Sequence, residues 1–91
     1  SNLAVNVKAA RALARQLRLR NIGGIIICDF LKMRAKKDND KLQQILAEEF
    51  EDDPCTVNVL GMTKLGLIEM TRQRRAPSLR NRIDAIDFVE A

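Results

Sequence analysis

Apolar positions recur with helical spacing near the start of the chain. The pattern predicts a helix over residues 6–20, with Asn6 as its N-cap. Its apolar face carries Val7, Ala10, Leu13, Ala14 and Leu17, and its basic face carries Lys8, Arg11, Arg15 and Arg18. Asn21 and Gly23 mark the end of this helix, because both residues tolerate the left-handed conformation found at helix C-termini. We therefore expect a helix that buries one stripe and exposes a basic one.

The hydrophobic pattern changes after Gly23. An unbroken apolar run predicts a strand over residues 24–30 that is covered on both faces. A second helical pattern occupies residues 40–51, where Asp40 and Gln43 resemble a capping box and Asp53-Pro54 ends the helix. Its buried stripe contains Leu42, Ile45, Leu46 and Phe50.

The segment "CTVNVLGM", residues 55–62, predicts a second strand with Val57 and Val59 on one side. Strand, helix and strand in this order form a βαβ unit, whose two strands run parallel and are joined by a right-handed crossover. Residues 63–74 fit either a short helix capped by Thr63 or a strand hairpinned to the second one. The strand is favoured, and it places Leu65, Leu67 and Glu69 on one side. A final helix is predicted from Pro77-Ser78 onward, with a stripe of Leu79, Ile83, Ile86 and Val89.

These elements predict the α/β (α+β) fold class, as a small βαβ-containing sheet with helices packed on it, in one domain over residues 1–91. The chain has no His, which excludes a Ser–His or Cys–His nucleophilic pair. Cys28 and Cys55 fall in strand-like runs, so buried free thiols in a reducing cytoplasm are expected. No apolar run approaches the roughly 20 residues that a membrane-spanning helix needs.

Charge is distributed unevenly along the chain. The totals are 16 basic and 12 acidic residues, a net charge of +4 and a pI of about 9.5. Residues 1–27 hold five basic residues and no acidic one, and "RQRRAPSLRNR", residues 72–82, holds five Arg and no acidic residue. Such segments favour an anionic partner such as nucleic acid, although a solvated helix face explains them as well. A non-catalytic, basic RNA-binding module is therefore one hypothesis.

Asp29 stands directly after the first apolar run. Ligands of open α/β sheets collect at the carboxyl ends of strands, and a carboxylate there can hold a hard cation such as Mg²⁺. The alternative is that the strand ends and a polar residue meets solvent. A single Asp taken alone favours this second explanation. The other Asp residues fit helix ends or a solvent face: Asp38, Asp40, Asp52, Asp53, Asp84 and Asp87.

Two long segments resemble the catalytic region of the ribonuclease E/G family. "NVKAARALARQLRLRNIGGIIICDFLKM", residues 6–33, is similar to the family pattern N-L-E-A-A-x-x-I-A-R-Q-L-R-L-R-x-[IL]-G-G-I-I-[VI]-I-D-F-I-x-M. "TKLGLIEMTRQRRAPSL", residues 63–79, is similar to S-x-[LF]-G-L-[LVI]-E-[ML]-[ST]-R-[KQ]-R. The resemblance covers about residues 6–79 and is specific, because both motifs occur in the family's order. It implies part of a bacterial endoribonuclease that hydrolyses single-stranded RNA with Mg²⁺ in RNA processing and decay.

The resemblance also implies roles for single residues. Asp29 matches the second of two metal-binding aspartates in a DNase I-like subdomain. The first belongs to an upstream S-I-D-V-N motif that this chain lacks, so a fragment that is inactive without the remaining domains of its parent is expected. Lys32 stands where the family often has Asp or Asn. Arg72, Arg74 and Arg75 are the candidates for contact with the RNA backbone. Self-association through exposed strand edges, giving a homo-oligomer, is a further expectation.

Overall fold

The computed structural model describes residues 1–74, which form two helices and three strands. These are α1 (Asn2–Leu19), β1 (Gly24–Cys28), α2 (Lys36–Glu49), β2 (Thr56–Met62) and β3 (Ile68–Gln73). This arrangement confirms the predicted mixed α/β class. The final helix predicted from Pro77 lies outside the described residues, as does Arg75. Within the described part of the chain, no helix combines the length and the apolar character needed to cross a membrane.

The three strands form one antiparallel sheet in the order β1-β3-β2. Strands β1 and β2 run in the same direction, as a βαβ unit requires, but they do not pair because β3 lies between them. Strands β2 and β3 form the hairpin that was favoured for residues 63–74. Its turn is closed by a hydrogen bond of 2.7 Å from the Thr63 N–H to the Leu67 carbonyl. Strand β1 is consequently an edge strand among the described residues.

Strand β3 begins later than the sequence predicted. Residues 63–67 form the turn, so the strand begins at Ile68. The buried positions are Ile68, Met70 and Arg72. Leu65, predicted to share one strand side with Leu67 and Glu69, instead lies in the turn and is 77% exposed. The prediction was wrong for Leu65 and Leu67, because the turn takes up residues that were expected in the strand.

Both helices pack on the same face of the sheet. The buried cluster contains Ala10, Ala14 and Leu17 of α1, Leu42, Leu46 and Phe50 at α2, and Cys28, Ile68 and Met70 of the sheet. The other face carries Ile25 and Ile27 of β1, which are 78% and 52% exposed. The prediction that β1 is covered on both faces was therefore wrong for the part of the chain that the structure describes.

Helix α1 begins four residues before its predicted start. Ser1 is its N-cap, and the Ser1 hydroxyl accepts a hydrogen bond of 3.2 Å from the Ala4 N–H. The prediction that Asn6 is the N-cap was wrong, because Asn6 lies inside the helix. Asn21 has a φ of 50°, which confirms the predicted left-handed residue after the helix.

Helix α2 also begins earlier than predicted. Its N-cap is Ala35, which makes no side-chain capping bond. The Asp40 carboxylate accepts a hydrogen bond of 2.8 Å from the Lys36 ammonium instead of capping the helix. The predicted capping box of Asp40 and Gln43 was therefore wrong, since Asp40 is one turn inside the helix.

Candidate functional site

Asp29 follows the last residue of β1. It lies at the end of the sheet where β1 and β2 finish and β3 begins, because Cys28 and Met62 both pair with Ile68. The Asp29 side chain is 74% exposed, and the Lys32 ammonium lies 3.7 Å from one of its carboxylate oxygens. The structure thus places an accessible carboxylate at the strand end that the sequence indicated.

Asn6 fixes the loop that carries Asp29. The Asn6 side-chain amide donates to the Leu31 carbonyl at 2.8 Å and accepts from the Leu31 N–H at 2.9 Å. Asn6 itself is 1% exposed. Its amide therefore satisfies both backbone polar groups of a loop residue that has no strand partner.

Two further asparagines hold the same loop. Asn2 donates to the Lys32 carbonyl at 3.0 Å, and Asn39 of α2 donates to the Met33 carbonyl at 3.1 Å. Helices α1 and α2 thus both anchor the loop after β1. Sequence reasoning missed this anchoring, although one signal was available. Asn6 occupies the same helical stripe as Ala10, Ala14 and Leu17, and a polar residue on an apolar stripe indicates a buried partner.

Lys32 joins this loop to the turn between β2 and β3. Its ammonium donates a hydrogen bond of 2.8 Å to the Leu65 carbonyl. The turn also contains Lys64 and the loop contains Arg34, and both residues are exposed. The accessible carboxylate of Asp29 therefore lies on an edge built from two segments that carry basic residues.

A divalent cation fits Asp29 as a single carboxylate ligand. The Asp29 carboxylate is exposed, and Mg²⁺ typically takes only one or two protein carboxylates, with water and phosphate oxygens completing its shell. Residues 1–74 contain no group of three or more His, Cys, Asp or Glu that could hold a metal ion. The described residues therefore supply no complete set of protein ligands for a metal ion, and binding of Mg²⁺ at Asp29 stays a prediction.

Arg72 lies in the interior of the fold. It is 1% exposed, and its Nε and Nη2 atoms donate to the two carboxylate oxygens of Asp53 at 3.1 and 3.0 Å. Its Nη1 atom donates to the Asn21 side-chain oxygen at 3.2 Å and to the Ile22 carbonyl at 2.9 Å. The guanidinium thus joins β3 to the turn after α1 and to the loop before β2. It presents no accessible surface for the RNA contact that the sequence suggested.

The partner of Arg72 is held in its ionised form. Burial works to raise the pKa of the Asp53 carboxyl. Hydrogen bonds from Arg72 and from the Cys55 N–H, together with the charges of Arg72 and Arg18, outweigh burial and hold this pKa below its ordinary value. The sequence suggested that Asp53 is a helix-end residue. It is instead one partner of an ion pair in which both side chains are buried.

Arg74 lies at the opposite end of the sheet from Asp29. It follows β3 and is exposed. Ile68 pairs with the last residue of β1, and the distance along β3 from Ile68 to Gln73 is about 17 Å, since each residue of an antiparallel strand advances about 3.4 Å. The structure thus does not bring Arg74 together with Asp29, and contact of Arg74 and Arg75 with RNA stays a prediction.

Comparisons with known proteins all relate this chain to one family. The model of the Ribonuclease E/G family matches residues 1–75. Ribonuclease G of Haemophilus influenzae is 43% identical over 76 residues, which are 84% of this chain and 16% of that protein. Ribonuclease E of Synechocystis is 43% identical over 74 residues, which are 81% of this chain and 11% of that protein. Ribonuclease E of Escherichia coli is 39% identical over 74 residues, which are 81% of this chain and 7% of that protein. The chain therefore spans less than a fifth of the length of these relatives.

Proposed function

This chain belongs to the ribonuclease E/G family, and we propose that it forms one edge of the active site of a Mg²⁺-dependent endoribonuclease acting on single-stranded RNA. The observation that carries this proposal is the exposed carboxylate of Asp29 at the end of β1, on a loop that the buried Asn6 fixes. The names of the relatives, which are ribonucleases, support the reaction class.

In this proposal Asp29 binds the divalent ion. Asp29 would hold the ion there, which would supply a Lewis acid for the phosphodiester and a bound water of lowered pKa. Asn6 keeps the Asp29 loop in one conformation, so the carboxylate does not have to be ordered when the ion arrives. Exposed basic residues of the loop and of the neighbouring turn provide a positive potential that attracts the RNA backbone. These are Lys32, Arg34 and Lys64.

We also propose that the chain is inactive without other parts of a longer protein. The matched segment is 7–16% of the relatives' length, and residues 1–74 contain no group of three or more His, Cys, Asp or Glu that could hold a metal ion. The chain has no Trp or Tyr, so aromatic platforms for RNA bases would come mainly from elsewhere. Other parts would likewise cover Ile25 and Ile27, whose exposed side chains form an apolar area beside the β1 edge.

A cleavage assay tests the proposal. The intact protein should cut a labelled single-stranded RNA in Mg²⁺, and chelation of the metal should stop the reaction. Asp29→Asn should lower the rate about 100-fold or more, because it removes a carboxylate that stabilises transition-state charge through the ion. Asp52→Asn removes an equally negative, exposed side chain outside the loop and should leave the rate unchanged.

Two results would contradict the proposal. Full activity of Asp29→Asn would remove the metal role of this residue, and robust cleavage by the 91-residue chain alone would refute its inactivity. A non-catalytic RNA-binding module, which the exposed basic residues also favour, predicts a third result. RNA binding would then weaken steeply between about 50 and 200 mM salt, with no cleavage by the intact protein.

A further inference from the structure

The Lys32 ammonium is held at a defined position beside Asp29. It donates to the Leu65 carbonyl at 2.8 Å and lies 3.7 Å from the Asp29 carboxylate, while its side chain is 66% exposed. An ammonium has three N–H donors. One is taken by Leu65, and the 3.7 Å separation from Asp29 is longer than a hydrogen bond, so donors remain available to a ligand from solution.

The turn between β2 and β3 is shaped to receive this side chain. Gly66 has a φ of +82°, and a Cβ atom on it would lie 2.7 Å from the Lys32 Nζ and 3.3 Å from the Lys32 Cδ. A Cβ atom at this position would require the flexible Lys32 side chain to shift. The ammonium is therefore positioned by contacts with a neighbouring element, namely the Leu65 carbonyl and Gly66.

We propose that Lys32 binds a phosphate oxygen of the RNA backbone next to Asp29. This assignment rests on the proposed function, because it takes Asp29 as a metal ligand and RNA as the substrate. A divalent ion held by Asp29 would neutralise most of the carboxylate charge that faces Lys32, whose hydrogen bond is to the neutral Leu65 carbonyl. The ammonium would then be able to pair with another anion. A backbone phosphate is the anion that the substrate brings to this edge, and lysine binds phosphate as a compact point charge.

A different role for Lys32 makes an opposite prediction. If its ammonium only neutralises Asp29, then its removal strengthens the binding of a divalent ion and leaves RNA affinity unchanged. If it binds phosphate, its removal weakens RNA binding. Measuring metal binding and RNA binding separately therefore distinguishes the two roles.

The test compares three variants of the intact protein: Lys32→Gln, Lys32→Arg and Lys41→Gln. Lys41 is an exposed lysine of α2, so its replacement matches the change in charge away from the loop. Anisotropy of a fluorescent single-stranded RNA is measured in Ca²⁺, an oxygen-ligating ion used here in place of Mg²⁺. Mg²⁺ binding is measured by calorimetry, and the melting temperature shows whether each variant is folded.

Lys32→Gln should weaken RNA binding roughly 10- to 150-fold, as expected for a lost hydrogen bond to a charged group. It should also reduce the salt dependence of binding by about 0.7 in the slope of log K against log salt, the contribution of one single-strand phosphate contact. Lys32→Arg should retain more than half of the wild-type affinity, and Lys41→Gln should equal wild type. All three should melt at the wild-type temperature.

If Lys32→Gln binds RNA as tightly as the wild type, Lys32 does not bind a backbone phosphate, whether or not Mg²⁺ binding becomes tighter. An equal loss in Lys32→Arg, or in Lys41→Gln, would overturn the assignment as well. Failure of the proposed function is distinguishable, because the wild-type protein would then not cleave RNA, whether or not it binds it. If the wild type cleaves RNA and Lys32→Gln binds it normally, the role of Lys32 alone is refuted.

Discussion

Replacement of Asp53 by Ala should lower the free energy of unfolding by about 3–5 kcal/mol, because it leaves the buried Arg72 charge without its carboxylate. The side chains of the pair are 2% and 0% exposed, and two hydrogen bonds of 3.1 and 3.0 Å join them. A folded unit of the 74 described residues has a free energy of unfolding of about 4–11 kcal/mol. The substitution should therefore remove about a quarter or more of the total stability.

The same pair makes stability depend on pH in a defined direction. The pKa of Asp53 is lower in the folded protein than its ordinary value of 3.8, so the pair contributes fully above that value. The contribution is lost as the pH falls below 3.8 and through the lower pKa of the folded state. We expect this component of acid destabilisation in the wild type and its absence in Asp53→Ala.

Urea unfolding measures both effects. It is performed at pH 7 and along a series down to pH 3, with Asp52→Ala as the control. Asp52 is the exposed neighbour of Asp53, and its replacement should change stability by no more than about 0.5 kcal/mol. A loss below about 1 kcal/mol for Asp53→Ala, with an unchanged urea dependence, would refute the view that this pair joins the sheet to the two loops.

Three further outcomes follow from the structure. Asn6→Ala should cost about 2–3 kcal/mol of stability and raise the Mg²⁺ concentration for half-maximal RNA cleavage, since the Asp29 loop loses two hydrogen bonds; unchanged urea and Mg²⁺ titrations would contradict this. Gly61→Ala should cost about 1–2 kcal/mol in thermal unfolding, because Gly61 sits at a β-bulge with a φ of +128°. A Cβ there would meet only the Gln43 side-chain oxygen at 3.9 Å, so the cost comes from the backbone conformation and not from a clash. A variant as stable as the wild type would be inconsistent with that conformation. Iodoacetamide should alkylate Cys55 well before Cys28, because burial raises the pKa of the Cys28 thiol and shields it; mass spectrometry showing equal rates would exclude it.

Local patterns in the sequence were sufficient to place most of the elements. The helical spacing of Ala10, Ala14 and Leu17 predicted the buried face of α1, and the three residues are buried. The left-handed Asn21 and the strand of residues 55–62 were also predicted, because turn chemistry and short-range periodicity depend on neighbours along the chain. Asp29 at the end of β1 follows from the same local reasoning.

The tertiary structure decided which residues meet across the chain. Arg72 and Asp53 are 19 positions apart, and neither has a local signal that distinguishes a buried ion pair from two surface charges. Their burial depends on β3 entering the sheet between β1 and β2, which also sets Ile68, Met70 and Arg72 on the inner face. Local periodicity does not specify that order of strands.

The features of the candidate site also separate into those that the sequence determined and those that the fold determined. The sequence by itself determined that an acid ends the first strand and, through its two motifs, the family to which the chain is related. Only the folded chain brought Asn6 to the loop after β1 and the β2–β3 turn to Lys32, over separations of 25 and 33 residues. Contacts at such separations are fixed by helix packing and strand order, which no local window of the sequence contains.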